Sequence, residues 1–192
     1  MIAIIKYNAG NIRSVQNALN RLGYESVITD DPDKIKAASK VIFPGVGEAS
    51  SAMEYLRERK LDLVIKYLTQ PVLGICLGLQ LMCKHTEEGD TECLGIFDNS
   101  VIKFTGDGLI PHMGWNEHSK TEGQLFEGVD ATDDVYFVHS YYATVNANTK
   151  AVCEYIQPFS SVLNKDNFYA TQFHPEKSAS VGEKILRNFL EL

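Results

Sequence analysis

The chain has 192 residues, 44% of them hydrophobic, with 18 Lys and Arg against 25 Asp and Glu and a formal net charge of −7. Its basic residues cluster no further than Arg57 to Lys60, itself interrupted by Glu58, which argues against a nucleic-acid partner, and apolar runs such as Val72 to Cys76 fall far below the ~20 residues of a membrane span. Cys76, Cys83, Cys93 and Cys153 form no CxxC pair and no Cys/His cluster at zinc spacing, so neither a disulfide framework nor a metal site is expected.

Ile2 to Tyr7 reads at once as a strand, without a basic region or a long apolar region before it, so no secretory signal is visible and a cytoplasmic location is expected. Arg13 to Leu22 follows at helical spacing, then a strand at Glu25 to Ile28, a helix at Pro32 to Ala37 and a strand at Val41 to Phe43. A helical stretch from Ala49 to Leu68 breaks near Lys60; Val72 to Ile75 is the next strand and Leu77 to Lys84 the next helix. Such alternation predicts parallel βαβ units with helices on both faces of a sheet. From about Leu94 the pattern changes to strands separated by turns: Ser100 to Phe104, Val135 to Val138, Ala151 to Tyr155, Ser161 to Leu163 and Tyr169 to Phe173. A last helix, Val181 to Leu190, carries Val181, Ile185, Leu186 and Phe189 on one side. With no repeat or linker to divide it, residues 1–192 read as a single α/β domain, a three-layer sandwich around a central mixed, mainly parallel sheet. Ligands should collect at the carboxyl ends of its parallel strands.

Three strand ends carry chemistry. In Phe43-Pro-Gly-Val-Gly47 the glycines let a peptide reorient and present N–H groups to a developing oxyanion; an ordinary strand-to-helix turn is the other reading of this loop. Gly74-Ile-Cys-Leu-Gly78 is the thiol version of a nucleophile elbow, in which Cys76 stands proud of the sheet at a helix start and the amide of Leu77 is a first oxyanion donor. By itself that pattern also fits a core cysteine in a tight turn. Tyr169-Ala-Thr-Gln-Phe-His-Pro-Glu176 weighs against this: residues two apart in an extended chain face the same way, so Glu176 can grip one nitrogen of His174 while the other faces a thiol. Of the other histidines, His112 and His139 read as packing or backbone-bonding groups, His85 and His118 as solvated ones.

These segments, together with Pro111-His-Met-Gly-Trp-Asn116 and Tyr136-Phe-Val-His-Ser140, resemble the class I (triad) glutamine amidotransferases over nearly the whole chain. Within that family they are most similar to the glutaminase subunits of imidazole glycerol phosphate synthase. The resemblance implies a flavodoxin-like sheet and a catalytic Cys76, His174 and Glu176 that release ammonia from L-glutamine through a thioester. It implies an oxyanion hole from Val46 and Leu77, with Gly47, Gln80, Glu88, Ser140 and Tyr141 holding the substrate. It places Asn11, Trp115, Tyr136 and Lys177 at the ammonia exit and partner interface, the partner being a HisF-like cyclase subunit in a heterodimer. No cofactor or metal is implied. The chain departs from the family at Lys6-Tyr-Asn-Ala-Gly-Asn11 and at Glu48-Ala49, both near the partner-facing edge. These departures leave open a paralogue that feeds ammonia to a synthase amidating cell-surface sugars; a non-catalytic protein of the same fold, which the intact Cys76, His174 and Glu176 argue against, and a different cysteine hydrolase on the same sheet, against which Gln80, Glu88 and the His-x-Glu order weigh, are the remaining alternatives.

Overall fold

Runs of Ile and Val, stiff at χ1 and suited to a pleated surface, build the first strands of the computed structural model, which describes residues 1–192. β1 (Ile2–Ile5), β2 (Ser26–Thr29), β3 (Lys40–Phe43) and β4 (Val72–Ile75) alternate with α1 (Ile12–Arg21), α2 (Pro32–Ala37), α3 (Ala49–Glu58) and α4 (Leu61–Lys66), and α5 (Leu77–Met82) follows β4. Then come β5 (His85–Thr86), β6 (Thr91–Glu92), β7 (Ser100–Lys103), β8 (His112–Asn116), β9 (Lys120–Thr121), β10 (Val135–His139) and β11 (Tyr141–Ala143). β12 (Thr149–Glu154), β13 (Pro158–Lys165), β14 (Phe168–Thr171) and α6 (Ala179–Leu190) complete the chain.

Local chemistry explains several boundaries. Asp31 accepts from the Asp33 N–H ahead of Pro32 at the start of α2, and the Glu48 carboxylate accepts from the N–H groups of Ser50 and Ser51 to cap α3. The break expected near Lys60 is real: Lys60 takes φ 55°, which no helix interior allows, and separates α3 from α4. The helix expected to reach Lys84 stops at Met82 because Cys83 turns extended and its carbonyl receives the N–H of Gly95.

Twelve strands form the main sheet, in the order β2-β1-β3-β4-β14-β13-β11-β7-β5-β6, with β12 attached to β13 and β9 to β12. β2, β1, β3, β4 and β14 are mutually parallel, and the neighbours from β13 to β7 alternate antiparallel. Period-two alternation splits the core across the sheet. Ala3, Ile5, Val41 and Phe43 point to the side covered by α2 to α5, whereas Ile2, Ile4, Ile42 and Leu73 meet α1 and α6. This is the three-layer α/β sandwich expected, and none of its helices is long and apolar enough to cross a membrane.

Two features differ from the expected layout. Val135 to Val138 was expected among the sheet strands, but β10 pairs only with β8 in a separate antiparallel ribbon. It buries Val135 and Phe137 over the α1/α6 face, leaving Tyr136 and Val138 half-buried on its other side. β8 itself escapes propensity reasoning because it follows Pro111 and contains Gly114 at φ 139°.

Candidate active site

Cys76 sits between β4 and α5 with φ 54° and ψ −108°, a conformation that side-chain-bearing residues adopt at a cost of ~1–3 kcal/mol. Both sides of the residue hold it there: its N–H donates to Thr171 C=O at 2.8 Å and its C=O accepts from the Gln80 N–H at 3.2 Å. Gly78 is required by close approach, since a Cβ there would lie 1.9 Å from the carbonyl oxygen of Phe43. The elbow is thus clamped between β3 and β14.

Because β14 pairs with β4 in parallel, with Thr171 opposite Ile75, the residues after it run past the elbow. Gln172 Nε2 approaches Cys76 Sγ at 3.7 Å, and the thiol faces Val138 C=O at 3.9 Å. His174 Nδ1 donates to Glu176 Oε1 at 2.8 Å, and the backbone N–H of His174 donates to Tyr136 C=O at 2.9 Å. Pro175 starts the tight turn Pro175–Lys177, and Ser178 Oγ–H donates to His174 C=O at 2.7 Å, so the imidazole is fixed through its backbone as well as its ring. The side chains of His174 and Glu176 are 1% and 0% exposed. A carboxylate only accepts, so the Nδ1 proton points to Glu176 and Nε2 remains the working nitrogen; it has no hydrogen-bond partner. Burial opposes the imidazolium, but the Cys76 sulfur first and Glu176 second outweigh it and lift His174 to about 10. A protonated imidazole facing a sulfur nucleophile is what acyl transfer needs.

Beside the sulfur opens a cleft of about 320 Å³ lined by Val46, Gly47, Cys76, Leu77, Gln80, Glu88, Pro111, Val138, His139, Ser140 and Tyr141. All eight residues expected at the elbow, the oxyanion loop and the substrate pocket other than His174 and Glu176 therefore meet around one space. Gln80 Nε2 donates to Tyr141 C=O at 2.9 Å and to Gln172 Oε1 at 3.1 Å, which leaves its own Oε1 to accept from a ligand. Glu88 accepts from the Ala49 N–H at 2.8 Å; burial raises its carboxyl above the ordinary value, that bond partly opposes the rise, and nearby Glu48 adds to it. Glu48 itself is held down to about 2 by its bonds to Ser51 and Ser50.

The loop after β3 is closed on itself. Tyr7, buried, donates its hydroxyl to Pro44 C=O at 2.6 Å, the Gly10 N–H donates to Val46 C=O at 3.1 Å, and the Leu77 N–H donates to Gly45 C=O at 3.2 Å. A Cβ on Gly45 would fall 1.9 Å from the Tyr7 hydroxyl, so only glycine fits. In this state a carbonyl occupies the Leu77 donor.

Among the residues expected at the partner edge, Trp115 is 53% exposed and meets Tyr136 edge-on at 5.8 Å, and Lys177 Nζ lies 5.9 Å from the Tyr136 ring centroid. Asn11 is placed differently. Its Nδ2 donates to Glu176 Oε1 at 2.5 Å, next to the His174 bond, which ties the start of α1 to the triad-like group. His118, read as solvated, is 3% exposed, bonded to Ser161 Oγ at 3.0 Å and packed on Phe126 and Phe173; one polar neighbour in space outweighs polar neighbours in sequence. Sequence reasoning missed Gln172 and Tyr7. Gln172 had a signal, since it shares the parity of His174 and Glu176; Tyr7 had none, because its partner lies 37 residues away. No group of three or more His, Cys, Asp or Glu side chains is arranged to hold a metal.

Residues 3–192 match the family model described as glutamine amidotransferase class-I. The chain is 59% identical over 194 aligned positions to the imidazole glycerol phosphate synthase subunit HisH of Bacteroides fragilis strain YCH46, covering 100% of this chain and 99% of that one. It is 47% identical to the subunit of the same name from Escherichia coli K12, with the same coverage. Among solved structures, one described as a glutamine amidotransferase superposes with a TM-score of 0.78 at 18% identity, over 100% of this chain and 98% of that one. A glutamine amidotransferase from Thermotoga maritima superposes with a TM-score of 0.69 at 16% identity, over 99% and 96%.

Proposed function

The chain belongs to the class-I glutamine amidotransferase family, and from that premise we propose that it is the glutaminase subunit of an imidazole glycerol phosphate synthase, cytoplasmic and acting in a heterodimer with a cyclase subunit. One observation carries the chemistry: His174, oriented by Glu176 and with Nε2 free, lies behind an elbow cysteine at the floor of a cleft lined by a carboxylate. The HisH relatives, alike over the full chain, supply the acceptor side of the reading.

The Cys76 sulfur attacks the side-chain amide carbon of L-glutamine, with its proton held on His174 Nε2. The resulting tetrahedral oxyanion collapses as His174 passes that proton to the departing nitrogen, giving ammonia and a γ-glutamyl thioester. A water then attacks the thioester carbon, His174 takes one of its protons, and the C–S bond breaks to release glutamate. Glu176 keeps the Nδ1 proton in place and supports the imidazolium. Glu88 receives the substrate's α-ammonium, while Gln80, Gly47 and the backbone of Ser140 and Tyr141 hold the rest. Trp115, Tyr136 and Lys177 face the cyclase near the ammonia exit.

The oxyanion hole has to open first. Turning over the Gly45–Val46 peptide takes the Gly45 carbonyl off the Leu77 N–H and brings the Val46 N–H into its place, so that two donors converge; one such donor is worth about 10² to 10³ in rate. A partner that binds the opened loop more tightly than the closed one activates the subunit by that difference. Steady-state glutaminase kinetics of the chain alone and with its cognate cyclase and the cyclase's nucleotide substrate test the reading. A large rise in kcat with a smaller change in KM is expected. Equal kcat in the two conditions refutes the gating, and activation only by a sugar-amidating synthase refutes the cyclase as partner.

A further inference from the structure

Two buried histidines, His139 in the cleft wall and His112 behind it, take no part in those steps. His139, 6% exposed, ends β10; His112, 3% exposed, opens β8; the two stand opposite each other in the ribbon. His139 Nδ1 lies 2.8 Å from Tyr141 C=O, His112 Nδ1 lies 3.2 Å from His139 Nε2, and Asn116 Nδ2 lies 3.4 Å from His112 Nε2. A carbonyl can only accept, so His139 carries its proton on Nδ1 and, as a neutral ring, offers Nε2 as an acceptor. His112 must then donate from Nδ1 and accept at Nε2 from the Asn116 amide, whose other hydrogen goes to Glu154 C=O at 3.0 Å. One carbonyl dictates the tautomers of both rings. Burial holds both neutral, pushing His112 down to about 4 and His139 to about 3, the bond to Tyr141 only partly opposing it. Stacking fixes the His112 plane, 4.0 Å from the Tyr155 ring and 4.8 Å from the Phe137 ring.

The far end of this chain is part of the cleft. Tyr141 C=O receives both the His139 Nδ1–H and the Gln80 Nε2–H, so both its acceptor positions are filled. The turn between β10 and β11 that this carbonyl anchors brings Ser140 and Tyr141 to the cleft wall, two and three residues beyond the Val138 carbonyl that faces Cys76. We propose that His112 and His139 are positioning residues for glutamine, forming a one-way hydrogen-bond chain Asn116→His112→His139→Tyr141 that sets the shape of the 139–141 turn against which the substrate binds. The inference rests on the glutaminase reading and adds to it a determinant of substrate affinity outside the reacting groups.

Asparagine places its amide nitrogen near the Nδ1 position of histidine and glutamine places its polar end near Nε2, which separates the two functions of His139. In the full chain assembled with its cyclase, His139→Gln leaves Tyr141 C=O with one donor, and KM for glutamine should rise about tenfold, the equivalent of one lost hydrogen bond, with kcat nearly unchanged. His139→Asn should recover most of that loss. Independently of turnover, ¹⁵N–¹H long-range correlation spectra of the wild-type chain should show both His112 and His139 as Nδ1–H tautomers. An Nε2–H tautomer on either ring overturns the proposal, as does a KM that is unchanged in His139→Gln or raised equally in both variants. A wild-type chain without glutaminase activity even in the presence of its liganded cyclase would overturn the functional reading instead, and would leave the tautomer result standing.

Discussion

Glu176→Gln tests how the imidazole is oriented. Glu176 Oε1 accepts from both His174 Nδ1, at 2.8 Å, and Asn11 Nδ2, whereas Oε2 is buried with no partner at all. A glutamine that keeps its oxygen at the Oε1 position must bury an NH₂ group at the empty Oε2 position, where unmet donors cost about 1–3 kcal/mol. Turned over, and with the Asn11 amide turned over as well so that its Oδ1 accepts the second hydrogen, the amide donates to His174 Nδ1 instead, which drives the ring proton to Nε2 and leaves the ring unable to receive one there. The first orientation loses only the charge that supports the imidazolium, a difference of ~1 kcal/mol between charged and neutral hydrogen bonds, or roughly fivefold in rate. The second produces the wrong tautomer, for which the serine-protease triad, with its carboxylate replaced by an amide, loses about 10⁴ in kcat. The unmet burial cost favours the turned-over amide, so kcat should fall by about 10³ to 10⁴ with KM little changed. Steady-state glutaminase kinetics with the cyclase present, alongside labelling of Cys76 by diazo-oxo-norleucine, give both the turnover and the acylation step, and a thermal melt checks the fold. A kcat within tenfold of wild type would refute the argument that a single carboxylate oxygen sets the His174 tautomer.

On the proposed reading Glu88→Gln should raise KM for glutamine by about 10² while leaving kcat near wild type, because it would remove an ion pair to the substrate rather than a group acting on the reacting carbon. Since burial raises Glu88, kcat/KM of the wild type should decline on acidification at a pH above the ordinary carboxylate value, and an acid limb unchanged in Glu88→Gln would exclude this residue as its source. Gly78→Ala puts a Cβ 1.9 Å from the Phe43 carbonyl oxygen, and overpacking of ~1–3 kcal/mol should lower Tm by roughly 3–10 °C; an unchanged melt would show that α5 can move off β3. His174, lifted to about 10, binds its proton in the folded chain where the unfolded chain has released it. Its contribution to stability is complete below the ordinary histidine value and is lost as pH rises toward 10; denaturant titrations across that window should show the decline, and Cys76→Ser, which removes the larger of the two groups raising the pKa, should flatten it.

Much of the layout is legible before folding because it is local. Alternating apolar runs and 3.6-period stretches up to Met82 dictate a parallel βαβ core, and the glycines around Cys76 mark a sharp turn. The i, i+2 spacing of His174 and Glu176 puts both side chains on one side of an extended chain. The helix break near Lys60 and the Pro32 start of α2 are equally local choices.

What only the tertiary structure decided depends on groups far apart in sequence. The last strand returns to the centre of the sheet beside β4, and that pairing, rather than any feature of either segment, brings His174 to Cys76. Val135–His139 leaves the sheet for a ribbon with His112–Asn116, a strand whose glycine and flanking proline hide it from propensity. Asn11 turns inward to Glu176, Tyr7 fastens Pro44, and the Gly45 carbonyl covers the Leu77 N–H. Each of these is a hydrogen bond that a buried polar group must find somewhere, and periodicity cannot say where. The sequence by itself determined which residue types stand at each strand end; the choice of partner across the sheet, and with it the closed state of the loop, was made by packing and by the satisfaction of buried donors and acceptors.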